Sequence, residues 1–297
     1  MTLGAIQKQP SGGLAQAVEP AAVETPSGKG AGDENFPVGS FLIARRLRPH
    51  VARYYAFARA ADDIADNAAL PAAEKIRRLD AFEAALSDGS LETPARLAES
   101  LSATGVDVSC ASDLLIAFRR DATKLRYQTW EELLDYCRYS ANPVGRFLLQ
   151  VHGEDAAALP YSDALCTALQ ILNHMQDMGD DRRDFDRIYM PRAILAAHGE
   201  EVEAIDRPAL SPGLRRALDD VLDRTEVLIE KARSLPVALK SRRLAAESAV
   251  IVRLAARLLA LLRAGDPLAR RVALRKTDFA AAFLLAGLPR LLGGARA

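Results

Sequence analysis

The chain has 297 residues, 49% of them hydrophobic, which is enough to bury a large core in one large or two medium domains. Its 39 basic and 39 acidic residues balance, so it lacks the basic excess of a nucleic-acid-binding protein, and we expect no nucleic-acid partner. The cysteines, Cys110, Cys137 and Cys166, are odd in number and widely spaced, which gives no sign of a disulfide framework or a zinc site and favours a reducing cytoplasm.

The N-terminal residues 1–32 are rich in Gly, Ala, Ser and Pro without apolar periodicity, which predicts a disordered tail. The start "MTLGAIQKQPSGG" lacks the basic and apolar parts of a secretory signal, so we expect a cytoplasmic protein. No uninterrupted apolar run reaches the roughly 20 residues that cross a bilayer. Because no linker or repeat follows, residues 33–297 are predicted to form one domain.

Helical spacing recurs along residues 33–297, and no segment combines alternating apolar residues with flanking turn signals as a strand would. The fold class is therefore predicted to be all-α. The predicted helices are 47–66, 72–86, 91–103, 109–125, 129–151, 161–182, 191–197, 211–234, 238–264 and 276–292.

The first predicted helix carries an acidic cluster in "YYAFARAADDIADNA", residues 54–68. Asp62 and Asp66 are four residues apart, so they lie on one helix face about one turn apart. Their repulsion costs a few tenths of a kcal/mol at a wet surface and more as water is lost. A cationic partner is expected to offset it.

A second acidic cluster lies in "LQILNHMQDMGDDRRDFDRIYMP", residues 169–191. Asp177 and Asp181 are again four residues apart, and Asn173 precedes them by one turn. If the two helices face each other, four carboxylates converge on a volume that requires divalent cations. Oxygen ligands without neighbouring Cys favour Mg²⁺, which keeps coordination sites for phosphate oxygens, so the substrate is predicted to carry a diphosphate.

Other interpretations of the acidic clusters are weaker. A single Asp-x-x-x-Asp is most often a solvated helix face, but here two clusters occur, each with arginines nearby that can bind phosphate. A di-iron bundle needs Glu-x-x-His pairs, which this sequence lacks. No Gly-x-Gly-x-x-Gly follows a predicted strand, so we expect no NADPH.

The stretches "YAFARAADDIAD" and "LQILNHMQDMGDD...RIYMP" resemble the squalene and phytoene synthases, and the resemblance spans roughly residues 33–290. It implies an isoprenoid-synthase-type helical bundle with a central cavity, in which several Mg²⁺ ions hold the diphosphate of a prenyl substrate. The implied metal ligands are Asp62, Asp66, Asn173, Asp177 and Asp181. The residues implied to contact the diphosphate or its metal shell are Arg59, Gln170 and Tyr189.

Two further stretches, "ENFPVGSFLIARRLRPH" and "YCRYSANPVGR", resemble the hydroxysqualene synthase branch of that family, the HpnC type. Phe36 is retained, whereas Asn35 stands where many relatives have serine, and Gln176 replaces the arginine usual before Asp177. These differences fit the branch that the two stretches resemble, and the resemblance implies a substrate that is already presqualene diphosphate, converted to hydroxysqualene in hopanoid biosynthesis. Asn35, Phe36 and Gly145 are expected to contact the substrate.

The carbocation left after diphosphate departs would need a dry, partly aromatic wall. Such stripes are more often plain core, but we predict Tyr55 as a substrate contact and Tyr136 as a catalytic residue. The remaining aromatic candidates are Phe57, Tyr139 and Phe147. Asn142, in the Asn-Pro-Val-Gly kink of the 129–151 helix, either holds the water that captures the cation or belongs to a purely structural kink.

Two other functions remain open from the sequence. The same fold can join two farnesyl diphosphates, giving presqualene diphosphate, squalene or phytoene, or it can serve as a non-catalytic assembly factor. The main interpretation implies coupling to a presqualene diphosphate synthase and a hydroxysqualene reductase. The Arg-rich C-terminal helices either pack in the bundle or rest on anionic lipid at the inner face of the membrane.

Overall fold

The computed structural model describes residues 42–293, most of which lie in helices joined by short loops. This part of the chain contains no strand, and its one isolated β-bridge joins Arg126 to Ile188. The predicted 1–32 tail, Asn35 and Phe36 lie outside the described residues. The helices are α1 (Arg48–Asp66), α2 (Ala72–Asp88), α3 (Glu92–Thr104), α4 (Ser109–Asp121), α5 (Trp130–Ser140), α6 (Asn142–Val151), α7 (Leu159–Gln176), α8 (Met178–Phe185), α9 (Arg192–Ala197), α10 (Pro212–Ala232), α11 (Leu235–Ala238), α12 (Arg242–Ala264), α13 (Lys276–Ala282) and α14 (Leu288–Leu292).

Local capping signals explain several helix ends. Gly89 and Gly105 follow α2 and α3 with φ of 68° and 67°, a left-handed conformation that glycine adopts without a steric penalty. The side chains of Thr129, Ser211 and Ser241 accept backbone N–H groups at the starts of α5, α10 and α12. Gly89, Gly105 and Ser211 lie where the sequence predicts turns, whereas Ser241 starts α12 inside the predicted 238–264 helix.

The buried apolar residues form two main clusters. The first joins α1 to α4, and α6 adds Phe147 to it. The second joins α5, α7, α10 and α12. Helix α4 contacts both α5 and α6, and α6 packs on α7, so these helices connect the two groups. The two acidic motifs therefore lie on different groups, one on α1 and the other at the α7–α8 junction.

Two predicted helices are each divided in the structure. The predicted 129–151 helix breaks at Ala141, because Pro143 has no N–H to continue the hydrogen-bond ladder of α5, and α6 starts at Asn142. The predicted 161–182 helix breaks at Asp177, whose φ of −101° and ψ of 13° separate α7 from α8. The predicted all-α class is confirmed, with boundaries shifted by a few residues elsewhere.

Two aromatic residues predicted near the reacting centre belong to the packed core. Phe57 is fully buried and stacks on Phe82 at a ring-centroid distance of 5.0 Å. Phe147 stacks on Tyr54 at 4.0 Å. These pairs hold α1 against α2 and α6, as aromatic stripes at helical spacing commonly do.

Within residues 42–293, none of the helices has the length and apolar character to cross a membrane.

Candidate active site

The first acidic motif lies along one face of α1. Tyr55, Arg59, Asp62 and Asp66 follow at i, i+4, i+7 and i+11, which places them on one side of the helix. Arg59 donates from Nη1 to Asp62 Oδ2 at 2.9 Å and from Nη2 to Asp63 Oδ1 at 2.7 Å. Arg59 is thus the cationic partner expected beside Asp62. It also pairs with the buried carboxylate of Asp63.

Negative charge is nevertheless in excess at the C-terminal end of α1, where three carboxylates follow Arg59. Burial, followed by the neighbouring Asp66 carboxylate, raises the pKa of Asp62 from 3.8 to about 8, although Arg59 opposes the shift. The Asp62 side chain keeps 35% of its surface exposed, so it can still reach an incoming group. A carboxyl held in this way gains more from a divalent cation than from the single charge of Arg59.

Arg187 joins the two acidic motifs. It follows α8 by two residues, and its side chain is only 9% exposed. Its Nη1 donates to Asp66 Oδ1 at 2.6 Å, and its Nη2 donates to the carbonyl of Ala65 at 3.3 Å. Its Nε donates to the carbonyl of Asp121 at 3.1 Å. The segment after the second motif is therefore fixed on the end of the first, across 121 positions of sequence.

A buried carboxylate, Asp121, lies at the centre of the site. Its Oδ2 accepts the hydroxyl of Tyr136 at 2.9 Å and its Oδ1 accepts the hydroxyl of Tyr189 at 3.0 Å. Burial raises the pKa of Asp121 to about 6, while Arg187 and the two hydroxyls act against that rise. We call Asp121, Tyr136, Tyr189 and Arg187 the Asp121 cluster. Asp121 does not stand out in the sequence, because a single acidic residue at a helix end carries no periodic signal.

The second acidic motif stays in line although its helix is broken. The N–H of Asp177 donates to the carbonyl of Asn173 at 2.9 Å, and that of Asp181 donates to the carbonyl of Asp177 at 2.8 Å. These two i→i+4 bonds carry the helical register through the α7–α8 junction, which keeps the three side chains on one side. Burial and then the Asp181 carboxylate raise the pKa of Asp177 to about 6.

His174 connects the second motif to the Asp121 cluster. Its ring stacks on Tyr189 with a centroid distance of 3.4 Å and an interplanar angle of 16°. Its Nε2 lies 3.0 Å from Gln170 Nε2, and its Nδ1 lies 3.5 Å from Asp181 Oδ2. That Oδ2 is buried and accepts no hydrogen bond from residues 42–293. The sequence showed a single His beside Asn173 and gave no sign of these contacts.

Three other predicted residues lie in different surroundings. The Oδ1 of buried Asn142 accepts the hydroxyl of Thr167 at 3.0 Å, which ties α6 to α7. Gly145 allows the same two helices to approach, since a Cβ there would lie 2.6 Å from Cys166 Sγ. Tyr139 packs its ring against Arg120 and Arg138 on the outside of α5. Within residues 42–293, none of the hydrogen bonds or ring contacts of these residues involves the Asp121 cluster.

The carboxylates fit Mg²⁺ as the donor set of two incomplete sites. Within residues 42–293, no three His, Cys, Asp or Glu side chains converge so that they could hold a metal ion unaided. Mg²⁺ usually takes only one or two protein carboxylates, together with water and substrate phosphates. The raised pKa of Asp62, and the Oδ2 of Asp181 that accepts no hydrogen bond within residues 42–293, are the features expected of such half-sites.

The chain is similar to known proteins over most of its length. The squalene/phytoene synthase family model matches residues 30–278. The hydroxysqualene synthase of Rhodopseudomonas palustris is 44% identical over 87% of this chain and 89% of that protein. The hydroxysqualene synthase of Zymomonas mobilis is 42% identical over 89% of this chain and 91% of that protein.

A solved structure shows the same fold. The crystal structure of squalene synthase HpnC from Alicyclobacillus acidocaldarius is 36% identical, has a TM-score of 0.69, and is matched over 76% of this chain and 87% of that one. The helical bundle is therefore of the isoprenoid-synthase type, as the sequence resemblance implied. The matched family model and the relatives above 40% identity establish that this chain is an enzyme of the squalene/phytoene synthase family.

Proposed function

We propose that this enzyme converts presqualene diphosphate to hydroxysqualene with Mg²⁺ and releases diphosphate. The geometry that carries the proposal is the Arg187–Asp66 ion pair, which brings the segment after the second acidic motif to the first. The relatives named hydroxysqualene synthase, 42–44% identical over most of their length, support the choice of substrate and product.

The proposed reaction balances with water as the only co-reactant. The C–O bond to the diphosphate breaks, and both electrons leave with the diphosphate oxygen. The cyclopropylcarbinyl cation rearranges, a water oxygen forms the new C–O bond, and that oxygen loses one proton. No electron donor is consumed, so NADPH is not required.

The protein would bind the leaving group from two sides. Asp62 and Asp66 would hold Mg²⁺ on the α1 side, and Asn173, Asp177 and Asp181 would do so at the α7–α8 junction. When bound, Mg²⁺ supplies positive charge to the departing diphosphate oxygens. Arg59 is half-buried and already forks between two carboxylates, so it is positioned to share its guanidinium with a phosphate.

Other parts of the chain would orient the substrate and exclude water. The Tyr136 and Tyr189 rings are fixed through their hydroxyls by Asp121, which gives the site a rigid aromatic wall. Gln170 is held beside His174 and, with half-buried Tyr55, is proposed to contact the substrate. Asn35, Phe36 and Gly145 are retained as proposed substrate contacts from the family resemblance.

Purified full-length enzyme should release diphosphate and form hydroxysqualene from presqualene diphosphate and Mg²⁺ without any reductant. EDTA should abolish the reaction, and Asp66→Asn should lower the rate by about 100-fold or more, since one metal-holding carboxylate is lost. Asp184→Asn, at an exposed carboxylate of α8, is the matched control and should retain full activity.

Two results would redirect the assignment. Formation of presqualene diphosphate, squalene or phytoene from farnesyl diphosphate alone would favour head-to-head condensation. Absence of Mg²⁺-dependent diphosphate release from either substrate would favour a non-catalytic assembly factor. If the proposal holds, a presqualene diphosphate synthase must supply the substrate and a hydroxysqualene reductase can consume the product.

The role of Asn142 has its own test. We propose that it helps hold the capturing water, although its Oδ1 is already engaged by Thr167. Asn142→Ala should then shift products away from the alcohol toward hydrocarbons formed by proton loss. An unchanged yield of hydroxysqualene would leave Asn142 with only its contact between α6 and α7.

A further inference from the structure

The last part of the chain turns an apolar face toward solvent. Residues 276–292 comprise α13, a π-helical turn over Phe283–Gly287, and α14. Leu284, Leu285 and Leu292 are 58%, 62% and 73% exposed. With half-buried Leu288 they recur at helical spacing, so they share one side of the segment. We call Leu284, Leu285, Leu288 and Leu292 the leucine face.

The opposite side of this segment is already packed. Ala282 is buried in a small cluster with Val250 and Leu254 of α12. Gly287 lies so close to α12 that an added Cβ would be 2.8 Å from Val250 Cγ2. The leucine face therefore cannot turn inward without losing this packing. A contiguous exposed apolar patch of this kind marks an interaction surface more often than isolated exposed residues do.

The C-terminal segment and the loop before it are basic. Residues 270–293 contain five basic residues and one acidic residue, a net charge of +4. The acidic residue, Asp278, is already paired with Arg257 at 2.9 Å. The exposed basic residues Lys276 and Arg290 lie near the two ends of the segment, and no ion pair is found for either of them within residues 42–293.

The charge pattern favours one kind of partner. An isologous dimer through this face would bring the basic residues of two copies together, and the like charges would repel. An anionic bilayer offers hydrocarbon for the leucines and phosphate groups for the basic residues, each of which contributes near such a surface. At about 1.5 Å per residue the segment is about 25 Å long, which suits a helix lying along a membrane.

We propose that the leucine face docks this enzyme on the surface of an anionic bilayer. The leucines would enter the boundary between headgroups and acyl chains, and Lys276 and Arg290 would contact headgroup phosphates. This inference rests on the exposed surface of the C-terminal segment and is independent of the substrate proposed above.

Vesicle co-sedimentation of the full-length protein tests the proposal. Wild-type protein should bind vesicles of phosphatidylcholine mixed with phosphatidylglycerol better than phosphatidylcholine alone, and high salt should weaken the difference. Leu284→Ser/Leu285→Ser should lower the partition coefficient about tenfold or more. Lys276→Gln/Arg290→Gln should lower binding to the anionic vesicles by about tenfold. Val227→Ser, at a valine of α10 that is 69% exposed, should bind as wild type does.

Two outcomes would overturn the proposal. One is equal vesicle binding by wild type and the double leucine variant. The other is a wild-type protein that binds no vesicles but forms a dimer, which the double leucine variant converts to a monomer. Thermal unfolding should show that the leucine variant is folded, since both side chains are exposed. Diphosphate release measured in detergent should be unchanged in this variant, which separates failure of docking from failure of the proposed reaction.

Discussion

Asp121 is the residue on which the arrangement of the site depends most. Its two oxygens accept two tyrosine hydroxyls, and its backbone carbonyl accepts Arg187. Arg187 in turn pairs with Asp66. A single buried carboxylate at the end of α4 thereby fixes groups from α1, α5 and the segment after α8. Such a buried cluster is stable only when its members are all satisfied.

We predict that Asp121→Asn destabilises the protein by about 2–4 kcal/mol. The amide has one acceptor oxygen, so one tyrosine hydroxyl loses its partner, and Arg187 loses a nearby negative charge. Urea denaturation measures the change. Asp135→Asn is the matched control, since Asp135 is 49% exposed and pairs with Arg120, and it should cost less than about 1 kcal/mol. Equal losses for the two variants would contradict the central role of Asp121.

His174 is predicted to position the second acidic motif. His174→Phe keeps a ring on Tyr189 but removes the nitrogens beside Gln170 and Asp181. The rate of diphosphate release should fall about 10–100-fold, and the Mg²⁺ concentration needed for half-maximal rate should rise. Thermal stability should change little, and His198→Phe, at a half-buried His that pairs with Asp220, should leave both kinetic quantities unchanged. A fall in stability with an unchanged Mg²⁺ requirement would mean a packing role only.

The sequence predicts the carboxylates of this site better than the groups that hold them. Asp62, Asp66, Asp177 and Asp181 stand out because four-residue spacing is a local property of a helix. Asp121 acts through partners 15 and 68 positions away, and such contacts follow from helix packing, which spacing along the chain does not reveal.

At the scale of elements, both helix breaks lie at predicted site residues, and only the one beside Asn142 is expected as a kink. The break at Asp177 leaves the register intact through the backbone bonds on either side of it. The break at Ala141 starts α6 with Asn142 buried against α7. The sequence indicates a kink at Pro143 because proline cannot donate a backbone bond. It gives no comparable signal at Asp177, where the dihedral angles depart from helical values without proline or glycine.

The contact between α6 and α7 gives a prediction for Gly145. A Cβ at this position would collide with the side chains of Ser162 and Cys166. Gly145→Ala should therefore lower the free energy of unfolding by about 1–3 kcal/mol through overpacking, even though alanine favours helix formation. Urea denaturation measures this loss.

A double-mutant comparison separates packing from the substrate contact proposed for Gly145. In a Ser162→Ala/Cys166→Ala background the cost of Gly145→Ala should be clearly smaller, because the colliding atoms are gone. Gly153→Ala, at a glycine with φ of 70° and open space around it, is a control that tests backbone strain alone. A cost for Gly145→Ala that is the same in both backgrounds would exclude the collision as its cause.

At the scale of the whole molecule, the site lies where two helix groups meet. The α1–α4 group supplies Asp62, Asp66 and Asp121, and the second group supplies Asp177 and Asp181. Helical periodicity predicts the all-α class because each helix buries one stripe. It does not predict which stripes meet, since that depends on contacts between helices far apart in sequence. Arg187 is an example. It follows α8 in the second group but contacts Asp66 and Asp121 of the α1–α4 group, and its position in the sequence does not suggest these contacts.

The raised pKa values of three carboxyl groups predict how the stability of the metal-free enzyme depends on pH. The folded protein raises the pKa of Asp121 and Asp177 from 3.8 to about 6, and that of Asp62 to about 8. The folded state therefore binds these protons more tightly than the unfolded state does. Their stabilising contribution is complete below about pH 4 and is lost as pH rises through about 6 and then about 8. The Tm of metal-free enzyme should fall between about pH 5 and about pH 9.

Mg²⁺ with inorganic diphosphate should reverse this fall, because metal ligation requires deprotonated carboxylates. The rise in Tm on adding both should be larger at about pH 9 than at about pH 5, as measured by differential scanning fluorimetry. Surface carboxylates with lowered pKa, such as Asp186 and Asp206, act in the opposite sense, but their effect is complete by about pH 5. Asp62→Asn should remove the fall near pH 8 and keep the one near pH 6. A Tm that rises steadily with pH in both wild type and Asp62→Asn would show that folding does not raise the pKa of these carboxylates.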